Sequence, residues 1–160
     1  MEQLLAGLRA AGEPTRLRLL ALLVRCELTV TELTQILRQS QPRVSRHLKL
    51  LCEAGLLERF REGSWVFYRL SRSGPVSELA DVLSGLIPQE DLVIARDLER
   101  LEAVRTIRAD RAAAYFRANA EEWDRIRSLY VPEDKVEQAM LTFGIRDDIE
   151  LMADLGTGTG

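Results

Sequence analysis

The chain has 160 residues, which is enough for one ordinary domain or for a small domain joined to part of another. Its 46% hydrophobic and 29% charged residues are typical of globular proteins and argue against disorder. The sequence has no apolar run long enough for a membrane span, no secretion signal and no disulfide framework, so we expect a soluble, cytoplasmic protein without a membrane partner.

The net charge of −3 is distributed unevenly along the chain. Residues 1–37 are neutral overall, residues 38–72 carry a net charge of +5, and residues 73–160 carry a net charge of −8. A basic block inside an acidic chain suits a surface that meets phosphate groups. Charge alone is equally consistent with a solvated surface.

The first two predicted helices occupy the N-terminal part of the chain. Leucines at positions 4, 5 and 8 predict a short amphipathic helix that ends near Gly12. Pro14 is well placed in the first turn of a second helix. One face of this second helix is predicted to carry Leu17, Leu20 and Val24.

Capping patterns predict the next two helices. Thr29 and Glu32 have the spacing of a capping box, which opens a third helix. Ser40 can cap a fourth helix, whose first turn tolerates Pro42, and Gly55 suits the position just past its end. The predicted inner face of the fourth helix carries Val44, Leu48 and Leu51.

The apolar period then changes from helical to alternating, which predicts a β-hairpin. Its strands are residues 57–61 and 65–70, and Glu62, Gly63 and Ser64 form the turn. Two arginines, Arg59 and Arg61, lie near the tip. Three helices, a fourth with a polar basic face, and a basic hairpin therefore follow one another.

The second half is predicted to return to helix at Pro75, with a break near Pro88 and a long helix to about Ser128. The apolar stripe of the first of these helices is Val76, Leu79, Val82, Leu83 and Leu86. A long helix needs a partner to cover its apolar stripe, and a second subunit is the simplest one. A short helix from Pro132 and a buried strand over residues 149–155 complete the prediction.

Residues 30–54 meet the requirements of a helix-turn-helix, in which the second helix enters the major groove of DNA. Glutamine and arginine can each form two hydrogen bonds with a base edge, whereas serine and lysine hold phosphates. We assign base contacts to Gln41, Arg43 and Arg46, and phosphate or orienting contacts to Ser40, Ser45, His47 and Lys49. On the hairpin, Arg59, Arg61 and Ser64 are predicted to touch the DNA backbone.

Five stretches of this sequence resemble the ArsR-type winged-helix repressors. They are residues 14–20, 40–51, 53–57, 61–63 and 68–70, and the resemblance covers residues 10–72 or so. It implies a homodimer that binds a palindromic operator in double-stranded DNA, with repression relieved by an effector that the sequence does not identify.

The family's metal-sensing members place two cysteines where this chain has Thr29 and Thr31. Their other metal site needs a histidine on the helix after the hairpin, and this sequence has no histidine beyond His47. Threonine does not replace a thiolate as a ligand of a soft metal, so we predict no metal site. Cys26 and Cys52 are interpreted either as small buried side chains or as a redox pair that switches DNA binding.

The last residues resemble motif I of class I S-adenosylmethionine-dependent methyltransferases. Asp154, Gly156, Gly158 and Gly160 match this glycine-rich loop, which follows the predicted strand; a linker or tag is the alternative. The motif is incomplete, so we expect neither cofactor binding nor catalysis by this chain. A longer parent protein is predicted to be a methyltransferase fusion that binds S-adenosylmethionine.

The sequence thus predicts a mainly α chain with a small β-hairpin. Residues 1–72 are predicted to form a winged helix-turn-helix DNA-binding domain and residues 73–130 a helical dimerisation or linker region. Residues 131–160 are predicted to be the truncated start of a methyltransferase-like domain, with the first strand of an incomplete Rossmann-like fold. The leading functional hypothesis is a dimeric transcriptional repressor rather than an enzyme. A methyltransferase activity of the parent protein and a thiol-based redox-sensing repressor are the alternatives.

Overall fold

The computed structural model describes residues 1–74 and 76–130, together with residues 135, 138–139 and 141–142; side chains between 120 and 130 are not described. The chain divides into two compact units, Met1–Thr106 and Ile107–Gly160. The helices are α1 (Glu2–Ala11), α2 (Pro14–Leu23), α3 (Val30–Leu37), α4 (Gln41–Glu53), α5 (Ser77–Leu86) and α6 (Leu92–Tyr130), and the strands are β1 (Leu28–Thr29), β2 (Leu57–Glu62) and β3 (Trp65–Leu70). The described part of the chain is therefore mainly helical, as predicted.

The strands form an antiparallel three-stranded sheet in the order β1-β3-β2. The predicted hairpin is thus correct, but the two-residue strand β1, which pairs Leu28 with Tyr68, was not predicted. Glu62 pairs with Trp65 and so belongs to β2, which makes the prediction that Glu62 lies in the turn wrong. The shorter turn is accommodated by Gly63, whose φ of 58° favours glycine.

The centre of the first unit is a leucine-rich core around α2. This helix is buried on most of its surface, because α1, α4, α5 and β3 all pack against it. Val24 is 46% exposed, so its predicted place on the apolar face of α2 is wrong. The reason is that α2 ends at Leu23, and the chain then turns towards β1. The side chains predicted for the inner face of α4, those of Val44, Leu48 and Leu51, are fully buried.

The predicted capping box of α3 is present. Thr29 Oγ1 accepts a hydrogen bond from the Glu32 amide at 3.3 Å, and Glu32 Oε2 accepts one from the Thr29 amide at 2.8 Å. The helix ends at Arg38, a non-glycine residue in the left-handed region with φ 52°. These two features set the length of α3 and the sharp turn that leads into α4.

The end of α4 depends on a glycine, as predicted. Gly55 follows the helix with φ 75°, a conformation that other residues adopt at a cost. A Cβ atom at this position would lie 2.9 Å from Cγ2 of Val76. Backbone conformation and space therefore both require glycine between α4 and β2.

The helices of the second half agree with prediction in position. Two members of the predicted apolar stripe of α5, Val82 and Leu86, are 58% and 72% exposed, whereas the small residues Ala80 and Ser84 are buried where α5 packs against α2. Within the described residues, no helix is both long and apolar enough to cross a membrane. Of the helix predicted from Pro132, only residues 135, 138–139 and 141–142 are described, and these are helical. Outside the described residues lie Pro75, the strand predicted over residues 149–155, and the predicted loop residues Asp154, Gly156, Gly158 and Gly160.

Candidate nucleic-acid interface

The first turn of α4 presents polar groups to solvent. Ser40 occupies the N-cap position in an extended conformation, but its side chain forms no capping hydrogen bond. Ser40, Gln41 and Arg43 are all exposed. Exposed polar side chains at the start of a helix are suited to bind phosphate and to reach base edges.

The basic side chains of α4 lie away from its buried face. Arg43, Arg46 and Lys49 are exposed. Lys49 Nζ lies 3.7 Å from Glu53 Oε1, and both side chains are well exposed, so this pair is weak and leaves the lysine charge available. The helix therefore has an apolar side in the core and a cationic side in solvent.

Ser45 and His47 are only partly exposed, and His47 points towards the start of α2. Its Nδ1 atom is buried without a hydrogen bond among the described atoms, 3.6 Å from Glu13 Oε2. Burial lowers the pKa of His47; Glu13 opposes this shift, and Arg16, Arg43 and Arg46 add to it. The imidazole is thus neutral at pH 7, which suits an orienting contact better than a charged phosphate contact.

Glu13 was not identified from the sequence as part of this region. Its carboxylate caps α2 by accepting a hydrogen bond from the Arg16 amide at 2.9 Å. Burial alone would raise the pKa of Glu13, but hydrogen bonds from Arg16 and Thr15 outweigh it, so the pKa lies below its ordinary value. An acidic residue directly before Pro14, at a helix start, was the available signal.

The hairpin presents two kinds of arginine. Arg59 and Arg61 on β2 are exposed, and Ser64 is exposed in the turn. Arg69 on β3 is committed instead: Nε donates to Glu58 at 2.6 Å, and Nη1 donates to Glu27 at 3.1 Å. Its guanidinium also lies over the ring of Phe60, with Cζ 4.6 Å from the ring centroid. The basic segment of residues 38–72 is therefore only partly available to a ligand, because the charge of Arg69 is already paired.

The other arginines of α4 and the hairpin, in contrast, form no ion pair with any residue that the structure describes; they are Arg43, Arg46, Arg59 and Arg61. Two come from α4 and two from the hairpin. Unpaired guanidinium groups are the usual ligands of DNA phosphates and of guanine edges. The arrangement is therefore chemically suited to bind a polyanion.

The cysteines are half-buried. Burial raises the pKa of the Cys52 thiol, with Glu53 adding to the shift and Arg59 opposing it. A raised pKa reduces the thiolate fraction and so disfavours reaction of Cys52 with oxidants. The predicted redox role of Cys26 and Cys52 stays a prediction.

The two threonines at the family's cysteine positions have different surroundings. Thr29 is 7% exposed and is held in the capping box, whereas Thr31 is exposed on α3. In the part of the chain that is described, no three histidine, cysteine or acidic side chains are grouped so that they could hold a metal ion.

Comparison with known proteins gives matches to one family. Residues 13–59 match the model of a family described as bacterial regulatory protein, arsR family. The chain is 39% identical over 94 residues to the arsenic resistance transcriptional regulator ArsR1 of Pseudomonas putida; this match covers 58% of the chain and 73% of that protein. It is 52% identical over 61 residues to the arsenical resistance operon repressor of Escherichia coli, covering 38% of the chain and 52% of the repressor.

A solved structure supports the same assignment. The transcriptional repressor BigR from Xylella fastidiosa superposes with a TM-score of 0.50 at 30% sequence identity, over 56% of this chain and 88% of that one. The shared region is a winged helix-turn-helix, and the relatives are regulators rather than enzymes. The chain belongs to the arsR family of bacterial regulatory proteins.

Proposed function

We propose that this chain represses transcription by binding, as a homodimer, a palindromic operator in double-stranded DNA. One observation carries the proposal: the exposed first turn of α4 and the hairpin both present unpaired arginines, while the opposite face of α4 is fully buried. A helix fixed by its apolar face and polar at its N-terminus is what major-groove recognition requires. The family assignment supports the same function.

Within this surface we divide the contacts by chemistry. Gln41, Arg43 and Arg46 are proposed to read base edges, because they are exposed on α4 and can form paired hydrogen bonds. The backbone phosphates are assigned to Ser40, Ser45, Lys49, Arg59, Arg61 and Ser64. His47 is proposed to orient α4 through its position beside Glu13.

The proposed homodimer is supported by an apolar surface on α1. Leu4, Leu5 and Leu8 are 42–43% exposed and lie next to one another at helical spacing. Pairing of two such surfaces would remove them from water and would place two recognition helices on one duplex. We expect Leu8→Glu to convert the dimer to a monomer in sedimentation velocity, whereas Gln3→Glu, which adds the same charge on α1, leaves it dimeric. A dimeric Leu8→Glu variant would refute this interface.

The DNA-binding proposal is tested with a duplex that the wild-type chain enriches from random DNA. Arg43→Ala is expected to weaken binding to this duplex by about 1–3 kcal/mol and to relax the preference at one base position. The matched control is Arg105→Ala, because Arg105 is an exposed arginine on α6 that is paired with Glu102. Equal affinities of the Arg43 and Arg105 variants would contradict the assignment of α4 as the reading helix.

The effector is proposed to be something other than a metal ion bound at the threonine positions, since Thr29 is held in the capping box. We expect zinc(II) and arsenic(III) to leave operator affinity unchanged in a fluorescence anisotropy titration. Release of DNA by either ion would refute this proposal. Nothing in the described residues favours the methyltransferase hypothesis, and we propose no cofactor for the regulatory function.

A further inference from the structure

A buried acidic residue on α6 links two arginines at the helix-turn-helix. Asp97 is 1% exposed. Arg18 of α2 donates to it twice, from Nε to Oδ2 at 2.6 Å and from Nη2 to Oδ1 at 2.9 Å, and Arg100 Nη2 donates to Oδ1 at 2.7 Å. One carboxylate therefore fixes two guanidinium groups, and an ionised carboxylate at such a buried place requires partners of this kind.

The same two arginines also bind the end of α3. The last carbonyls of a helix have no partner within the helix. Arg100 Nε donates to the carbonyl of Ile36 at 2.6 Å, and Arg18 Nη2 donates to the carbonyl of Leu37 at 3.2 Å. The end of α3 is thus held from α2 and from α6 by groups that share Asp97.

The end of α3 that these two arginines hold leads directly into the turn before α4. Leu37 is followed by Arg38, which has the left-handed conformation. Gln39 adds a further contact, because its Nε2 donates to Thr15 Oγ1 on α2 at 3.4 Å. The direction in which the chain leaves α3 determines where the first turn of α4 lies.

We propose that Asp97 is a positioning residue for DNA recognition: through Arg18 and Arg100 it fixes the end of α3 and so the placement of α4. The inference rests on the proposed function. A displacement of α6 near Asp97 would reach the recognition helix through the two guanidinium groups, with no contact between Asp97 and DNA.

The test compares Asp97→Asn with Glu102→Gln. Each substitution neutralises an acidic residue that pairs with an arginine three positions later on α6, but among the described residues the Glu102–Arg105 pair has no ion pair with α3. We measure the affinity for the inverted-repeat duplex enriched by the wild-type chain and for a shuffled duplex of equal length. Asp97→Asn is expected to lower the affinity for the enriched duplex about tenfold, a typical size for coupling through such networks, and to leave the shuffled duplex unchanged. Glu102→Gln is expected to change neither.

Arg100→Lys gives a second test if Asp97→Asn does not fold. Lysine keeps the charge, but its single ammonium group does not reproduce the planar fork that spans Asp97 and the Ile36 carbonyl. Arg100→Lys is expected to lower the affinity for the enriched duplex by less than Asp97→Asn does, and to leave the affinity for the shuffled duplex unchanged. A lower melting temperature with unchanged discrimination between the duplexes, or an equal loss for both, would overturn the proposal. A wild-type chain that enriches no duplex would overturn the proposed function itself and this inference with it.

Discussion

The hairpin offers a test in which two arginines of neighbouring strands are expected to behave differently. Arg61 is exposed on β2 and has no ion-pair partner in the described part of the chain, so we assign it one phosphate contact. Arg69 on β3 is held by Glu58 and Glu27, so we assign it none. Alanine at each position removes one positive charge from the same sheet.

The expected size follows from counterion release. Each phosphate contact contributes about 0.9 to the slope of log affinity against log salt, so between about 50 and 200 mM salt one contact is worth about 3.5-fold in affinity. Affinity falls as salt rises, and for Arg61→Ala the factor by which it falls over this range should be about 3.5 times smaller than the factor for the wild type. Arg69→Ala should keep the wild-type slope but melt at a lower temperature, because Glu58 and Glu27 lose their shared partner.

Fluorescence anisotropy titrations at several salt concentrations give both slopes, and circular dichroism gives the melting temperatures. A reduced salt slope for Arg69→Ala, or an unchanged slope for Arg61→Ala, would show that the hairpin meets DNA with its other face. The assignment of the hairpin contacts would then be wrong.

Three further predictions concern the scaffold of the interface. Gly55→Ala should destabilise the fold by at least about 1–2 kcal/mol in urea denaturation, because of the positive φ and the contact with Val76; an unchanged midpoint would contradict the need for glycine. Thr29→Ala should cost about 1 kcal/mol by removing the cap, whereas Thr29→Ser should retain most of the stability, and equal losses would argue against the capping box. His47 is the only histidine, and its pKa is lowered in the folded state, so below pH 6.5 the unfolded chain binds a proton that the folded chain does not. Stability should therefore fall as the pH drops from 7 through 6.5 towards the lower folded pKa, and His47→Gln should remove this part of the pH dependence, as measured by urea denaturation at each pH.

Local signals account for the elements that could be predicted from the sequence. The capping box at Thr29 and the glycine after α4 each act within a few residues of the backbone they shape, and Ser40 holds the predicted N-cap position although its side chain makes no capping hydrogen bond. The helical period of Val44, Leu48 and Leu51 likewise identified the buried face of α4. The same period predicted that the basic side chains of α4 face solvent, and Arg43, Arg46 and Lys49 are exposed.

Features that depend on distant partners could not be predicted. Strand β1 has two residues, too few to display an alternating pattern, and it exists because β3 pairs with it. Arg69 appeared to belong to the basic surface, but its partner Glu27 lies 42 positions away in the sequence. The contact of Arg18 with Asp97 spans 79 positions and leaves no periodic signal. The winged-helix fold and the exposed basic face of α4 were therefore accessible from the sequence, whereas the availability of each charge was not.

Selection of bound sequences from random double-stranded DNA by the purified chain tests whether α4 and the hairpin recognise a DNA sequence. We expect enrichment of an inverted repeat whose half-sites lie about one helical turn, or a whole number of turns, apart. Arg43→Ala should reduce this enrichment, whereas Arg105→Ala should not. Recovery of sequences with no common motif, at any salt concentration, would contradict the assignment of α4 and the hairpin as a sequence-reading surface.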